Sequence, residues 1–218
     1  MAPRFRCIIA DHDDTNVDST PNIHHPIYLE LMSEVRPNII PLDLRGFRGV
    51  NNNGGILEHY RNDLEFDEEM LEYAIDFWKS HDLRNLQPPF YEGILEMFDE
   101  YRSKGGMIAI SSHSDERRIR EHFENSASFV PEEIFSSDLP KEMNKPSTYP
   151  IDYIVNNYGI RPEEIAVIDD MLPGHEMARK AGSYRLGAGW GIYDEMIEAN
   201  VDSYFNRVED CRDFIMND

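Results

Sequence analysis

The sequence predicts an α/β fold: a parallel sheet flanked by helices, with a helical segment inserted after the first strand. Short apolar runs alternate with helical patterns along most of the chain, and this alternation is typical of a parallel sheet. One interval of about 65 residues breaks the alternation, holds no convincing buried strand, and far exceeds an ordinary connection. We therefore interpret that interval as a separate subdomain.

The strands are predicted in two groups. Three apolar runs bounded by polar residues are the clearer group: Phe5–Ala10, Met107–Ser111 and Ile165–Ile168. Three further runs carry a weaker strand pattern: Glu133–Ser136, Ser183–Leu186 and Asp202–Phe205. Helices are predicted over Tyr91–Lys104, ended by Gly105 and Gly106, over Tyr149–Tyr158, and from near Pro173 to Ala181.

The inserted segment is assigned to residues 20–85, which leaves 1–19 and 86–218 for the α/β core domain. It contains helical patterns at Ile27–Val35 and Glu68–Lys79 and a Gly/Asn-rich loop at Arg45–Gly55. We interpret it as a helical cap over the core; an ordinary long crossover is the alternative. Its interior is expected to be packed by Met32, Met70, Phe77 and Trp78.

Charge restricts the classes of partner. The chain has 218 residues, of which 42 are Asp or Glu and 21 are Lys or Arg, so its formal net charge is −21. So acidic a surface repels the phosphates of nucleic acids and anionic lipids, and we expect neither a nucleic acid nor a membrane as partner. A phosphorylated small molecule is compatible, because a bound metal ion can invert the local field.

Cysteine spacing and hydropathy favour a cytoplasmic protein. The two cysteines, Cys7 and Cys211, provide neither a CxxC pair nor a disulfide framework. No apolar stretch approaches the roughly 20 residues that span a bilayer. The N-terminal apolar run is too short for a signal peptide.

The first candidate site follows the first strand. Asp11, Asp13, Asp14 and Thr15 come directly after it, and ligands of an open parallel sheet bind beyond the carboxyl ends of the strands. Asp11 and Asp13 point to the same side of an extended segment, so one can act as a nucleophile while the other transfers a proton. The alternative is an Asp-rich turn that caps a helix.

A second acidic pair, Asp169 and Asp170, ends the apolar run Ile165–Ile168. The two acidic clusters can converge on one hard cation, and Mg²⁺ prefers oxygen ligands of this kind. The alternative is an ordinary helix start before Pro173.

Two polar residues would complete a phosphate site. Ser112 follows the run Met107–Ser111 and offers a hydroxyl, together with backbone N–H groups, at a strand-to-helix turn. Lys145 precedes the helix over Tyr149–Tyr158, where its charge would stabilise a transferring phosphoryl group and hold a carboxylate nucleophile. The alternatives are a helix cap and a solvated lysine.

In this order the motifs resemble those of the haloacid-dehalogenase-like superfamily. Within it, the sequence is similar to phosphatases of the phosphoglycolate phosphatase and β-phosphoglucomutase group. The four motifs match at Asp11–Thr15 (Asp-x-Asp-x-Thr), Ser112, Lys145-Pro146 and Asp169-Asp170, the last in the paired-acid form.

The resemblance implies a Rossmann-like core with an inserted cap and a Mg²⁺-dependent phosphoryl transfer. Asp11 would attack phosphorus and form an aspartyl-phosphate. Asp13 would protonate the leaving oxygen and later deprotonate the hydrolytic water. Ser112 and Lys145 would hold the phosphoryl group. The Mg²⁺ ligands would be Asp11, the backbone carbonyl of Asp13, and Asp170, with Asp169 nearby.

Two positions refine this expectation. The family's dehalogenases lack an acid equivalent to Asp13, since a halide leaving group needs no proton, so Asp13 favours phosphate esters. Many relatives carry a further Asp four positions after Asp170, where this chain has Gly174. That replacement bears on metal affinity and on whether Asp169 or Asp170 binds the metal directly.

Further substrate contacts are expected on both segments. Asp14 and His113 are candidates beside the phosphate site, and Arg48 in the inserted segment would bind a carboxylate or a second phosphate. His24, His25 and Arg45 are further candidates in the same segment. The alternative is that these residues belong to the surface and pair with acidic neighbours.

The sequence thus predicts a Mg²⁺-dependent phosphatase whose partner is a small phosphorylated metabolite. One alternative is a phosphomutase of the same family, which shields its aspartyl-phosphate from water until a sugar hydroxyl attacks. The other is a catalytically weak member that binds a metal or a partner, which the replacement at Gly174 makes conceivable.

Overall fold

A computed structural model describes residues 2–52, 55–191 and 194–217. The chain divides into two compact units. The core unit comprises Met1–Val17 and Phe90–Asp218, and the inserted unit comprises Asp18–Pro89. None of the described helices combines the length and the hydropathy needed to cross a membrane.

The secondary structure alternates between strands and helices in the core unit and is helical in the inserted unit. The strands are β1 (Cys7–Ala10), β2 (Met107–Ser111), β3 (Glu133–Phe135), β4 (Ile165–Asp169), β5 (Tyr184–Ala188) and β6 (Ser203–Phe205). The α-helices are α1 (His25–Val35), α2 (Leu44–Asn52), α3 (Ile56–Asn62), α4 (Glu68–Ser80), α5 (Ile94–Ser103), α6 (Glu116–Ser126), α7 (Tyr149–Tyr158), α8 (Leu172–Ala181), α9 (Glu195–Glu198) and α10 (Val208–Met216). Shorter helical turns lie at Thr20–His24, Asp82–Asn85, Lys141–Met143 and Pro162–Glu164.

The six strands form one sheet in the order β3-β2-β1-β4-β5-β6, and every neighbouring pair is parallel. The chain therefore runs outward from β1 through β2 to β3 on one side of the sheet. It then returns to β4, next to β1, and continues through β5 to β6 on the other side. Such a reversal leaves a crevice beyond the carboxyl ends of the two central strands, which is where open α/β sheets bind ligands.

Helices cover both faces of this sheet. Along β1, Ile8 and Ala10 belong to one hydrophobic layer together with residues of α5, α6 and α10. Cys7 and Ile9 belong to the other layer together with residues of α7 and α8. Because both faces are buried, the strands read as continuous apolar runs instead of an alternation of apolar and polar residues.

The predicted α/β class with a parallel sheet and an inserted helical segment is confirmed, with small differences at element ends. The first strand begins at Cys7 instead of Phe5, and the third clear strand includes Asp169. The helix predicted from Tyr91 begins at Ile94, because Gly93 immediately before it has φ 88°. This left-handed conformation suits glycine and cannot continue a right-handed helix.

The inserted unit has its own hydrophobic cluster and no strand among its described residues. The cluster is formed by Tyr28, Leu31, Met32, Phe47, Tyr60, Phe66, Leu71 and Ala74. Met70 and Phe77 pack against it as predicted. Trp78 instead stacks on His24, with ring centroids 5.9 Å apart.

The predicted Gly/Asn-rich loop is wrong over residues 45–52, which belong to α2. The helix starts where Asp43 Oδ1 accepts a hydrogen bond from Gly46 N at 2.8 Å. Phe47 then enters the hydrophobic cluster with only 4% exposure. Burial of this ring outweighs the poor helix propensity of the glycines. Residues 53 and 54 of the predicted loop lie outside the described residues.

Candidate active site

The two acidic motifs meet at the centre of the sheet. Asp11 follows β1, Asp169 ends β4, and these strands are neighbours. The backbone N–H of Asp11 donates to the carbonyl of Ile168 at 2.8 Å, so the ladder continues to the beginning of the acidic segment. The register of two apolar strands therefore brings the distant carboxylates together.

Three carboxylates form a compact group. One oxygen from each of Asp11, Asp169 and Asp170 lies within 4.8 Å of the other two. Asp11 and Asp169 are buried and Asp170 is half-buried. Carboxylates crowded at this spacing repel one another unless positive charge compensates them.

Lys145 supplies part of that compensation. Its Nζ donates to Asp11 Oδ1 at 2.8 Å and to Asp169 Oδ2 at 2.6 Å, and its side chain is only 4% exposed. Burial alone lowers the pKa of Lys145, but the two carboxylates outweigh burial and hold the pKa above its ordinary value. Lys145 is therefore a charged ammonium that links both strands of the site.

Negative charge remains in excess, since three carboxylates face one ammonium. Burial raises the pKa of Asp11 from 3.8 to about 7, with Asp169 adding to the rise while Lys145 opposes it. Burial also raises the pKa of Asp170, and the charges of Asp14, Asp169 and Asp11 add to the shift. Each raised pKa means that the surroundings do not stabilise the ionised carboxylate as well as water does.

The residues present fit a divalent cation such as Mg²⁺. The donor set consists of carboxylate oxygens, which are the ligands of a hard cation, and a cation would offset the excess negative charge. The predicted Mg²⁺ ligands Asp11, Asp169 and Asp170 are the three that the structure groups. The backbone carbonyl of Asp13 stays a predicted ligand.

Hydrogen bonds orient Asp170. Thr15 Oγ1 donates to Asp170 Oδ1 at 2.9 Å and accepts from the backbone N–H of Asp170 at 3.1 Å. The indole Nε1 of Trp190 donates to the carbonyl of Thr15 at 2.8 Å. Thr15, the last residue of the first motif, therefore connects that motif to the fourth.

The start of α8 fixes Asp169. Its Oδ1 accepts from Met171 N at 2.8 Å, and His175 Nε2 lies 2.9 Å from its backbone carbonyl. A Cβ built at Gly174 would lie 2.0 Å from Asp169 Oδ2. The carboxylate of Asp169 therefore fills the space that any side chain at position 174 would need, so Asp169 in this conformation requires glycine at 174.

Asp13 is held by residues that the sequence motifs did not include. Arg118 on α6 donates from NH2 to Asp13 Oδ1 at 3.0 Å and from NH1 to Asp13 Oδ2 at 3.2 Å. Ser114 Oγ also donates to Asp13 Oδ2. Helical spacing could have revealed Arg118, because it lies four residues before the buried His122 and next to the buried Ile119.

Two comparisons place the chain among known proteins. The model of a family described as haloacid dehalogenase-like hydrolase matches residues 8–188. The chain belongs to this family. The match confirms the resemblance inferred from the motifs and the expectation of a hydrolase. No curated protein matches the chain with significance.

Solved structures of haloacid dehalogenase-like proteins share the fold at low identity. A predicted phosphoglycolate phosphatase from Haemophilus somnus 129PT has a TM-score of 0.78 at 19% identity, covering 95% of this chain and 96% of that one. A haloacid dehalogenase-like hydrolase from Streptococcus pneumoniae has a TM-score of 0.76 at 19% identity, covering 97% and 98%. A predicted phosphatase from Clostridium acetobutylicum has a TM-score of 0.73 at 19% identity, covering 96% and 97%.

The remaining predicted residues of this haloacid dehalogenase-like core differ in their surroundings. Ser112 is buried, and its Oγ accepts from Ser114 N at 3.2 Å. His113 is exposed, with Nε2 3.4 Å from the carbonyl of Lys145. Asp14 is buried and has φ 59°, a left-handed conformation that directs the chain into a tight turn.

The other substrate candidates lie in the inserted unit. Arg48 is buried, and its NH2 lies 3.7 Å from Asp18 Oδ1. Arg45 is exposed. His25 Nε2 lies 2.9 Å from the carbonyl of Leu42, which indicates a structural role for this ring. Substrate binding by these residues stays a prediction.

His12, between the two predicted catalytic acids, is fully buried. Its Nε2 lies 3.1 Å from Nδ1 of the equally buried His122. Burial lowers the pKa of His12 to about 3, so the ring is neutral at physiological pH. The uncharged ring of His12 therefore shares one hydrogen bond with the buried ring of His122.

Proposed function

We propose that the protein is a Mg²⁺-dependent phosphatase that hydrolyses a small phosphate monoester through an aspartyl-phosphate on Asp11. One observation carries the proposal: the buried ammonium of Lys145 bridges Asp11 and Asp169, beside Asp170. A carboxylate attacks an anionic phosphate only where positive charge screens the approach. Membership of a hydrolase family supports the same reaction class.

In the first step a carboxylate oxygen of Asp11 attacks phosphorus. The bond between phosphorus and the ester oxygen breaks, and its electron pair goes to the leaving oxygen. The carboxyl group of Asp13 gives that oxygen a proton, which releases an alcohol. Lys145 and Ser112 hold the phosphoryl oxygens during the transfer.

In the second step water attacks the phosphorus of the aspartyl-phosphate. The carboxylate of Asp13 takes a proton from the water, and the bond between phosphorus and Asp11 breaks. Inorganic phosphate leaves, Asp11 regains its carboxylate, and Asp13 is again protonated for the next ester. This use of one group as acid and then as base follows from microscopic reversibility.

Asp11, Asp169, Asp170 and the backbone carbonyl of Asp13 would hold the Mg²⁺ ion. When bound, the ion screens the charge between the carboxylate nucleophile and the phosphate. Lys145 then keeps Asp11 oriented, because its Nζ is shared with Asp169 on the neighbouring strand.

The inserted unit is proposed to act as a cap that selects the leaving group. It enters the chain directly after the first motif and has its own hydrophobic cluster, which suits a subdomain that moves as one body. Arg48, Asp14 and His113 are proposed substrate contacts. A guanidinium at position 48 suits a carboxylate or a second phosphate on the substrate.

A panel of phosphate esters tests the proposal. Purified protein should release phosphate from some of them with Mg²⁺ and lose this activity with EDTA and in Asp11→Asn. A requirement for a bisphosphorylated sugar activator, with transfer instead of phosphate release, would identify a phosphomutase. Absence of turnover across the panel at saturating Mg²⁺ would contradict the proposal and favour a binding protein.

A further inference from the structure

Asp13 lies in a small network with two residues of the segment that follows β2. Arg118 makes two hydrogen bonds to Asp13, one to each carboxylate oxygen, at 3.0 and 3.2 Å. Arg118 NH1 also donates to Ser114 Oγ at 2.6 Å, and this hydroxyl donates to Asp13 Oδ2. The fork of the guanidinium therefore fixes the plane of the carboxylate as well as its position.

The beginning of α6 is built to deliver Arg118 to this place. Asp115 caps the helix, and its Oδ1 accepts from the backbone N–H of Arg118 at 2.9 Å. The backbone N–H of Glu116 donates to Asp138 Oδ2 at 2.8 Å, which ties the same turn to the segment after β3. Ile119 and Phe123 then anchor the helix in the hydrophobic core.

Arg118 differs from the other arginines of α6. Arg117 pairs with Glu121 and Arg120 with Glu116 within the helix, and both arginines are exposed. The side chain of Arg118 is only 11% exposed, and its ion-pair partner lies 105 residues away in the chain. A buried guanidinium loses solvation, so this pair must be held in good geometry to be stable.

We propose that Arg118, together with Ser114, is a positioning residue that holds the carboxyl group of Asp13 where it exchanges its proton. The proposal rests on the proposed function, because Asp13 must be the acid of the first step. Arg118 itself touches no substrate in this proposal. Its effect reaches the reaction through Asp13: the fork orients the carboxyl group, and the positive charge favours the carboxylate that takes a proton from water in the second step.

A positioning role for Arg118 would affect esters unequally, which a merely structural role would not. Proton donation matters when the leaving oxygen is strongly basic and matters little when the leaving group is a stable anion. Disturbing Asp13 should therefore slow the release of phenol and spare the release of 2,4-dinitrophenolate. The two esters present the same aryl phosphate unit to the reacting residues, so a general distortion of the site would slow both.

The experiment compares kcat/KM for phenyl phosphate and 2,4-dinitrophenyl phosphate in Arg118→Met. The value of kcat/KM depends only on the steps up to formation of the aspartyl-phosphate, so hydrolysis of that intermediate does not affect it. Since proton transfer contributes about 100- to 10,000-fold, we expect a loss of about 10- to 100-fold with phenyl phosphate and under about threefold with the dinitrophenyl ester. Arg117→Met, an exposed arginine of the same helix, should leave both values unchanged.

Two milder variants keep the test decisive if Arg118→Met unfolds. Arg118→Lys retains charge but not the fork, and Ser114→Ala removes one hydrogen bond to Asp13. Each should show the same preference for the dinitrophenyl ester, with a smaller loss. Equal losses with both esters, or no loss, would overturn the proposal while leaving the phosphatase intact. Wild-type protein that releases phosphate from no ester of the panel would overturn the proposed function, and this proposal with it.

Discussion

At the scale of single residues, the positive charge of Lys145 is what stabilises the buried carboxylates of the site. A buried ammonium between two buried carboxylates is stable only as part of the group, because each charge has lost its solvation and depends on its neighbours. Asp11 shows the remaining imbalance, since burial raises its pKa to about 7. A nucleophile that is ionised only near neutral pH needs both Lys145 and a cation.

Replacing Lys145 should destabilise the protein as well as inactivate it. Lys145→Met leaves Asp11 and Asp169 without their shared donor, so the free energy of unfolding at pH 8 should fall by about 3–5 kcal/mol. Urea denaturation measures this loss, and Lys141→Met, an exposed lysine just upstream, is the control. A Lys145→Met protein as stable as wild type would contradict the account.

The pKa of Asp11 predicts how metal and pH act together. The folded-state pKa is raised from 3.8 to about 7, so the folded protein binds the proton more tightly than the unfolded chain does. In EDTA, this group's contribution to stability therefore falls as pH rises from about 4 to about 7. Asp11→Asn should remove that part of the slope.

Mg²⁺ should consequently raise the melting temperature more at pH 8 than at pH 5. At the lower pH protons occupy the carboxylates and compete with the metal. Calorimetry at both values, with Ca²⁺ as a second hard cation, measures the effect. A larger stabilisation at pH 5 would count against the predicted ligand set.

At the scale of elements, the junction of β4 and α8 explains why the chain has Gly174 where an acid was expected. The loop is tight enough that the Asp169 carboxylate occupies the space above position 174. His175 holds the backbone of Asp169 from the same helix turn. A side chain at position 174 would thus overlap that of Asp169, and the acid pair Asp169-Asp170 is compatible with glycine at 174.

A double-mutant cycle tests this exclusion. Gly174→Ala should lower the free energy of unfolding by about 1–3 kcal/mol, because its methyl group would overlap Asp169 Oδ2. In an Asp169→Gly background the same substitution should cost almost nothing. Gly49→Ala, in another helix with open space around the glycine, is the control. Equal costs in both backgrounds would refute the steric explanation.

At the scale of the whole molecule, the net charge of −21 opposes the approach of an anionic substrate. The site itself adds three carboxylates against one lysine. Association with a phosphate ester should therefore be slower than for a neutral protein, and screening by salt should help it.

Raising monovalent salt from about 10 mM to about 150 mM should increase kcat/KM for a phosphate ester by about two- to threefold, as the Debye length falls to about 8 Å. Sodium acetate and sodium chloride at equal ionic strength control for specific anion effects. A steady fall in kcat/KM with both salts would show that local positive charge, not the net charge, governs the encounter.

The sequence predicts the parallel sheet and the meeting of the two acidic motifs, because short apolar runs mark the strands and each acidic motif lies at a strand end. Sequence reasoning missed the helix over Leu44–Asn52, since burial of Phe47 overrides the local preference of glycine and asparagine. It also missed Arg118: helical spacing places this residue near the buried face of α6, but its partner Asp13 is distant in the chain. The roles of Asp11, Asp13 and Ser112 stay predictions.

The central claim is that Asp11 carries the phosphoryl group, and trapping that group tests it most directly. Protein mixed with a turned-over ester and Mg²⁺ is quenched in acid within one turnover, digested at low pH and analysed by mass spectrometry. We expect one phosphoryl group on the peptide that contains Asp11, and none in Asp11→Asn. A phosphoryl group on another residue, or undiminished turnover by Asp11→Asn, would contradict the account.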